Sequence, residues 1–312
     1  MRSFAVSALR EPPFSSARHD DTERVARESA DWAQHLGLIS NGHRLHRADA
    51  AGLAGRACPQ GPLDRLRLLT DLISWLFVMD DACDEDGLGS EPTGLAPTVA
   101  ALLDVLDHHG GPGPVPAGVA GALGLGLADL CRRVRAHRRP ALLLCFTAAM
   151  REYLLALLWE AANREHERVP AVDEYVQMRR HTGAVYPSLA LTDLALNGFP
   201  PASRRADPGW AALESIAADL ICWCNDVFSY DKEQHGGPDA HNLITVLTWE
   251  VGDESVALRA AAERFNDRLD AYLAAENDLL ASHGDAVRPA LKTRRNWIRA
   301  TYDWSRAAAR YA

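Results

Sequence analysis

The residues Asn225-Asp226-Val227-Phe228-Ser229-Tyr230-Asp231-Lys232-Glu233 follow the mostly apolar run Ile216 to Cys224, and no Gly or Pro interrupts the join. Such a stretch reads as the polar end of a long buried helix. In a helix that turns about 100° and rises about 1.5 Å per residue, Asn225, Ser229 and Glu233 advance by only about 40° per step, so they share one stripe roughly 12 Å long. A carboxamide, a short hydroxyl and a longer carboxylate on that stripe can converge on one ion. All three donors are oxygens, which suits a hard cation such as Mg2+ better than zinc, and Lys232 adds a positive charge for an anion. A helix end whose polar residues simply face water would show the same pattern.

A second cluster tips the balance. Asp80-Asp81-Ala82-Cys83-Asp84-Glu85-Asp86 follows the apolar run Leu72 to Met79. Asp80 and Asp84 are one helical turn apart, as are Asp81 and Glu85. Carboxylates packed this closely repel one another unless a cation neutralises them; the bland alternative is a helix ending in a solvated acidic loop, with Gly87 and Gly89 just beyond.

Composition bounds the function. The 312 residues carry 33 basic and 42 acidic side chains, a net charge of −9, which argues against a general nucleic-acid or anionic-membrane binder. An anionic ligand would then need local cations. No run approaches the ~18 consecutive apolar residues of a membrane span, and Met1 to Phe14 has no apolar stretch of signal-peptide length, so a cytoplasmic protein without stable membrane insertion is expected. The six cysteines form no C-x-x-C pair and read as reduced core thiols, with Cys222 and Cys224 too poor in partner ligands for zinc.

Helical periodicity accounts for nearly all of the chain. Residues 1–20 read as an extended arm and 21–312 as a single all-α domain. Helices are expected over Asp21 to Gly37, Arg44 to Ala54, Pro62 to Met79, Thr98 to His108, Val115 to His137, Pro140 to Asn163, Gly209 to Gln234, His241 to Val251, Ser255 to Ser282 and Asp285 to Ala309. Glu91 to Pro97 reads as a loop, and the basic run Arg132 to Arg139 as a solvated turn. The segment Val172 to Asn197 is helical but interrupted at Thr182-Gly183, with Pro187 close behind, which predicts a kinked helix with freed carbonyls. Phe146, Tyr153 and Trp159 are candidates for a pocket wall, with core packing as the alternative for each.

Together the two clusters resemble the paired metal motifs of class I terpene synthases, specifically the bacterial terpene cyclases. The aspartate-rich motif corresponds to Asp80-Asp81-Ala82-Cys83-Asp84-Glu85, and the N-D-x-x-S-x-x-K-E motif to the residues from Asn225 to Glu233, where every defined position matches. The family places a diphosphate-sensing arginine on a kinked helix 46 positions before the motif asparagine, which here is Arg179, followed by a linker residue and a glycine effector, here Thr182 and Gly183. The linker is often Asp, so Thr182 is a departure. A Pro-Pro-Phe element near the start and a closing Arg-Tyr pair also match, at Pro12-Pro13-Phe14 and Arg310-Tyr311.

The resemblance implies a single-domain helical barrel, monomeric or homodimeric, with a central active-site cavity. It implies a trinuclear Mg2+ cluster held by Asp80, with Asp84 or Glu85, and by Asn225, Ser229 and Glu233. Arg179, Lys232, Arg310 and Tyr311 would bind the diphosphate of a prenyl diphosphate substrate, and Asp81 would register closure through hydrogen bonds. Phe77 and Trp304 are the preferred cavity liners, with core packing as the alternative for each. Farnesyl diphosphate is the expected substrate, with geranyl and geranylgeranyl diphosphate as alternatives. A chain-elongating synthase would use two aspartate-rich motifs, and an inactive helical binding protein is the rival from another class.

Overall fold

The computed structural model of the protein describes residues 6–40, 48–84, 86–113, 119–235 and 241–307, apart from the side chains of residues 119, 232, 234 and 235. Glu85, Arg310, Tyr311 and the Lys232 side chain therefore lie outside the described residues.

Among those residues every regular element is helical. The longer helices are α1 (Thr22–His35), α2 (Ala50–Ala57), α3 (Leu63–Asp84), α4 (Pro92–Asp107), α5 (Val119–Ala136), α6 (Pro140–Glu165), α7 (Val172–Thr182), α8 (Val185–Leu196), α9 (Pro208–His235), α10 (Leu243–Val251), α11 (Glu254–His283) and α12 (Arg288–Ala307). Local chemistry sets several ends. Gly37, at φ 71°, ends α1 by letting the Leu38 N–H turn back to the Ala33 carbonyl at 2.9 Å. The Asp253 carboxylate caps α11 by accepting the Val256 N–H at 2.9 Å.

The core runs through α3 and α9, whose burial follows from their apolar faces. Leu66, Leu69, Leu72 and Trp75 of α3 and Leu213, Ala217, Leu220 and Cys224 of α9 are buried. Each such large side chain contributes about 1.5–3 kcal/mol relative to exposure. Helix α8 packs against α3, α6 and α12, while α9 packs against α7, α11 and α12, so these helices enclose a central space. The first described residues run back over this body. Arg10 pairs with Asp270, the Arg299 guanidinium donates to the carbonyls of Pro12 and Phe14, and the Phe14 ring meets Tyr272 edge-on at 5.8 Å.

Four expectations need correction. Glu91 to Pro97 is not a loop: α4 starts at Pro92, because proline in the first turn loses only an N–H that would have no partner there. Helix α3 continues past Met79 through the acidic motif to Asp84. Helix α2 runs on to Ala57, past the expected end at Ala54, and the Asp49 side chain accepts the Gly52 N–H at 3.1 Å near its start, while residues 44–47 of the expected helix lie outside the described residues. In the basic run, Arg133 is not solvated but donates to the buried carboxylate of Asp71 at 2.6 Å. Helix α6 is long and apolar enough to cross a membrane by length and composition, yet half of its most apolar window is buried inside the molecule.

Candidate active site

A cavity of about 320 Å3 lies between α3, α6, α7, α8, α9 and α12. Both motif helices end at it. Asp80, Asp81 and Asp84 from the last turns of α3 line the same space as Asn225, Ser229 and Glu233 from α9. A helical turn before each cluster the lining is apolar, with Leu76 and Phe77 on α3 and Ile221 on α9. Phe77 stacks on Trp304 of α12, with ring centroids 5.9 Å apart and planes 17° from parallel. The Trp304 indole N–H donates to the Asp49 carbonyl at 3.1 Å, and that bond fixes which face the ring presents.

The polar end fits a hard cation. Its motif donors are carboxylate, carboxamide and hydroxyl oxygens, the set that Mg2+ favours. Burial pushes the Glu233 carboxyl up to about 7, against the lowering effects of hydrogen bonds from Ser229 and Asn242 and of the Arg179 charge. The Asn242 amide N–H reaches Glu233 Oε2 at 2.7 Å and the Asp226 carbonyl at 2.8 Å, which orients the carboxylate. Among the described residues no group of three His, Cys, Asp or Glu side chains forms a ready-made cage. An ion held here would draw on both helices and complete its shell with water and ligand oxygens, the usual habit of Mg2+.

Arg179 stands beside the second motif. Its Nε donates to Asp226 Oδ1 at 2.9 Å and an Nη to Asn225 Oδ1 at 3.0 Å. Asp226 is fully buried and also accepts from the Tyr175 hydroxyl at 2.5 Å and the Leu243 N–H at 3.3 Å. This tether links α7, α9 and the start of α10. Arg180 points elsewhere: with Arg268 it pairs with the buried Asp219, and it does not line the cavity.

Between α7 and α8 the helix breaks where sequence placed the interruption. Gly183 follows α7 and Ala184 takes a left-handed conformation at φ 50°, a strained choice for a residue with a Cβ. The Ala184 N–H turns to the His181 carbonyl rather than to Arg180 four residues back. The Arg179 carbonyl stays occupied, by the Gly183 N–H at 2.9 Å and the Cys222 thiol at 3.3 Å. Burial pushes that thiol up to about 12, so it keeps the proton it donates. The Thr182 hydroxyl lines the cavity without a protein partner among the described residues.

Gly183 is needed for contact rather than for backbone freedom. A Cβ there would sit 2.6 Å from Cys222 Sγ and 3.1 Å from the Arg179 carbonyl. Gly183→Ala should therefore lower stability by about 1–3 kcal/mol, the usual cost of overpacking. Adding Cys222→Ala should recover part of that loss. Thermal melts of the two single variants and the double variant measure the coupling, and strictly additive losses would show that the two residues do not meet.

Of the three aromatic wall candidates, only Tyr153 lines the cavity. Phe146 is fully buried in the core, and Trp159 turns away to donate to Glu174 at 2.8 Å. Sequence reading missed Asp226 as the anchor of Arg179, Trp297 as a second α12 indole in the wall, and Glu160, Arg164 and His241 in the cavity lining. Trp297 follows from α12 periodicity once Trp304 is accepted; the others depend on contacts between distant segments.

Residues 71–272 match the family Terpene synthase family 2, C-terminal metal binding. The chain is 35% identical to a (+)-T-muurolol synthase of Roseiflexus castenholzii that cyclises (2E,6E)-farnesyl diphosphate, over 96% of this chain and 92% of that protein. It is 31% identical to a 4-epi-cubebol synthase of Streptosporangium roseum, also farnesyl diphosphate cyclizing, over 96% and 90% of the two chains. In fold it is similar to a-eudesmol synthase, with a TM-score of 0.84 and 22% identity over 96% of this chain and 99% of that one. A linalool/nerolidol synthase from Streptomyces clavuligerus gives a TM-score of 0.81 at 19% identity, over 94% and 98%. A helical body, two oxygen-rich motifs lining one aromatic-walled cavity and these relatives agree: the chain belongs to the terpene synthase family.

Proposed function

We propose that the protein is a Mg2+-dependent cyclase that ionises farnesyl diphosphate and closes the resulting cation into a cyclic sesquiterpene. The observation that carries this reading is that Asp80, Asp84, Asn225, Ser229 and Glu233 line the same cavity as Phe77 stacked on Trp304. The two curated relatives that cyclise farnesyl diphosphate support the chain length. Six free cysteines fit a reducing cytoplasm.

Asp80, with Asp84 or Glu85, and Asn225, Ser229 and Glu233 would hold a trinuclear Mg2+ cluster. When bound, the ions supply Lewis-acid neutralisation of the departing diphosphate. Arg179 would bind diphosphate oxygens and, through its bonds to Asn225 and Asp226, tie that binding to the second motif. Lys232, Arg310 and Tyr311 would complete the anion site, while Asp81 accepts hydrogen bonds that register closure. Thr182 and Gly183 pass the movement of Arg179 into the α7–α8 break. Below the rim, Phe77 and Trp304 stabilise the cation by about 0.5–2 kcal/mol each through their ring faces. The apolar wall keeps out the water that would quench it early.

Purified protein incubated with geranyl, farnesyl and geranylgeranyl diphosphate in Mg2+, with the extracts separated by gas chromatography, tests the substrate directly. A cyclic product from farnesyl diphosphate is expected. A product formed only from the C10 or C20 substrate would remove the farnesyl assignment and leave a cyclase of different chain length.

A further inference from the structure

Among the described residues two arginines line the cavity, Arg179 and Arg164. Each is tied to one of the two motifs. Arg179 bonds Asn225 and Asp226 of the second motif, while Arg164, at the end of α6, bonds Asp84 of the first with Nη2 to Oδ1 at 2.6 Å. Its other terminal nitrogen, Nη1, donates to the Gly89 carbonyl at 3.3 Å, in the connection between α3 and α4. A Cβ on Gly89 would lie 2.9 Å from that same Nη1 and from the Cys83 Cβ, and 3.0 Å from the Cys83 carbonyl, so the glycine lets the connection pass close to both. The Arg164 side chain is 21% exposed and that of Asp84 is 40% exposed, so the pair faces the open end of the cavity rather than the core.

We infer that Arg164 is a further diphosphate-binding arginine of this site, beside Arg179 and Arg310, held by the Asp84 carboxylate until a metal ion takes that carboxylate. This extends the proposed function and presupposes that the protein binds a prenyl diphosphate with divalent metal. Two of the contacts of Arg164 divide the work. Nη1 on the Gly89 carbonyl anchors the side chain at the rim, and Nη2 is the group that changes partner. Asp84 cannot spend the same oxygen fully on a guanidinium and on a dication. A metal ion at Asp84 therefore frees a charged donor that already lines the cavity, where the diphosphate supplies acceptor oxygens. The ion pair also keeps Asp84 partly neutralised before ligand arrives, which lessens its repulsion with Asp80 one turn away.

A residue with this role makes opposite contributions to the two ligands. Arg164 competes with metal for Asp84 but helps hold diphosphate. Arg164→Gln should therefore tighten Mn2+ binding without diphosphate by about twofold to fivefold, read by electron paramagnetic resonance, since a partly exposed ion pair is a modest competitor. The same variant should weaken inorganic diphosphate binding at saturating Mg2+ by about tenfold to a hundredfold, read by isothermal titration calorimetry, as expected for one charged hydrogen bond. Arg164→Lys should keep much of the diphosphate affinity. If Arg164 only fastens α6 to the α3–α4 connection, Arg164→Gln would instead melt earlier and weaken both ligands together, and the inference would fall. Unchanged affinities in a variant that melts normally would overturn it as well. If Arg164→Gln does not fold, Arg164→Lys decides: a hundredfold loss of diphosphate affinity, or a loss of both ligands, would contradict the role. Wild-type protein that binds neither Mn2+ nor diphosphate would remove the functional proposal itself, an outcome distinct from the others.

Discussion

Asn225→Ala and Glu233→Ala should each abolish measurable turnover, lowering it by about a thousandfold or more, while circular dichroism stays that of the wild type. Each removes an oxygen from an ion that the protein holds weakly until diphosphate arrives, and an electrostatic contact made in the transition state typically controls about 10^2- to 10^3-fold in rate. The fold should survive. Glu233 is a carboxyl that burial has pushed up to about 7, so its removal relieves a desolvation cost, and the Asn242 amide keeps the Asp226 carbonyl as a partner at 2.8 Å. Asn225 is only partly buried. Steady-state rates from farnesyl diphosphate, measured at several Mg2+ concentrations, decide the matter: either variant at wild-type rate would exclude that residue from the metal site.

Arg179→Lys should lower the rate of ionisation by about a hundredfold although the charge is retained. The guanidinium donates from Nε to Asp226 and from an Nη to Asn225 while a further edge remains for phosphate, and an ammonium cannot reproduce that geometry. The lysine variant should still fold, because a positive charge remains to balance the buried Asp226. Arg179→Ala should fold poorly, losing about 3–5 kcal/mol, since it strands that carboxylate without a counter-ion. Single-turnover kinetics on the lysine variant separate ionisation from product release. A normal burst rate would place the sensing group elsewhere, and Arg180 is an unsuitable substitute because it is committed to Asp219.

The candidate site was legible from sequence wherever spacing along one helix decides the geometry. Asn225, Ser229 and Glu233 share a stripe for any chain that stays helical, and Asp80 and Asp84 do the same, so their convergence on one cavity needed only the two helices to face each other. The break after Thr182 was legible because Gly183 and Pro187 both weaken a helix. The left-handed residue itself was not, since Ala184 carries no marker for that conformation. For Phe146, Tyr153 and Trp159 the choice between wall and core stays open in the sequence because α6 is apolar on several faces, so its sequence does not say which face meets the cavity. Asp226 with Tyr175, and Arg164 with Asp84, bring together residues 51 and 80 positions apart, and no local pattern announces such pairs.

Incubating the full chain with farnesyl diphosphate and Mg2+, with isopentenyl diphosphate and a parallel sample in chelator, measures diphosphate release and the carbon skeleton together. Diphosphate should appear with a cyclic C15 product only when Mg2+ is free, and isopentenyl diphosphate should leave that product unchanged. Release that persists in chelator, or a longer prenyl diphosphate formed in place of a ring, would contradict a metal-dependent cyclase.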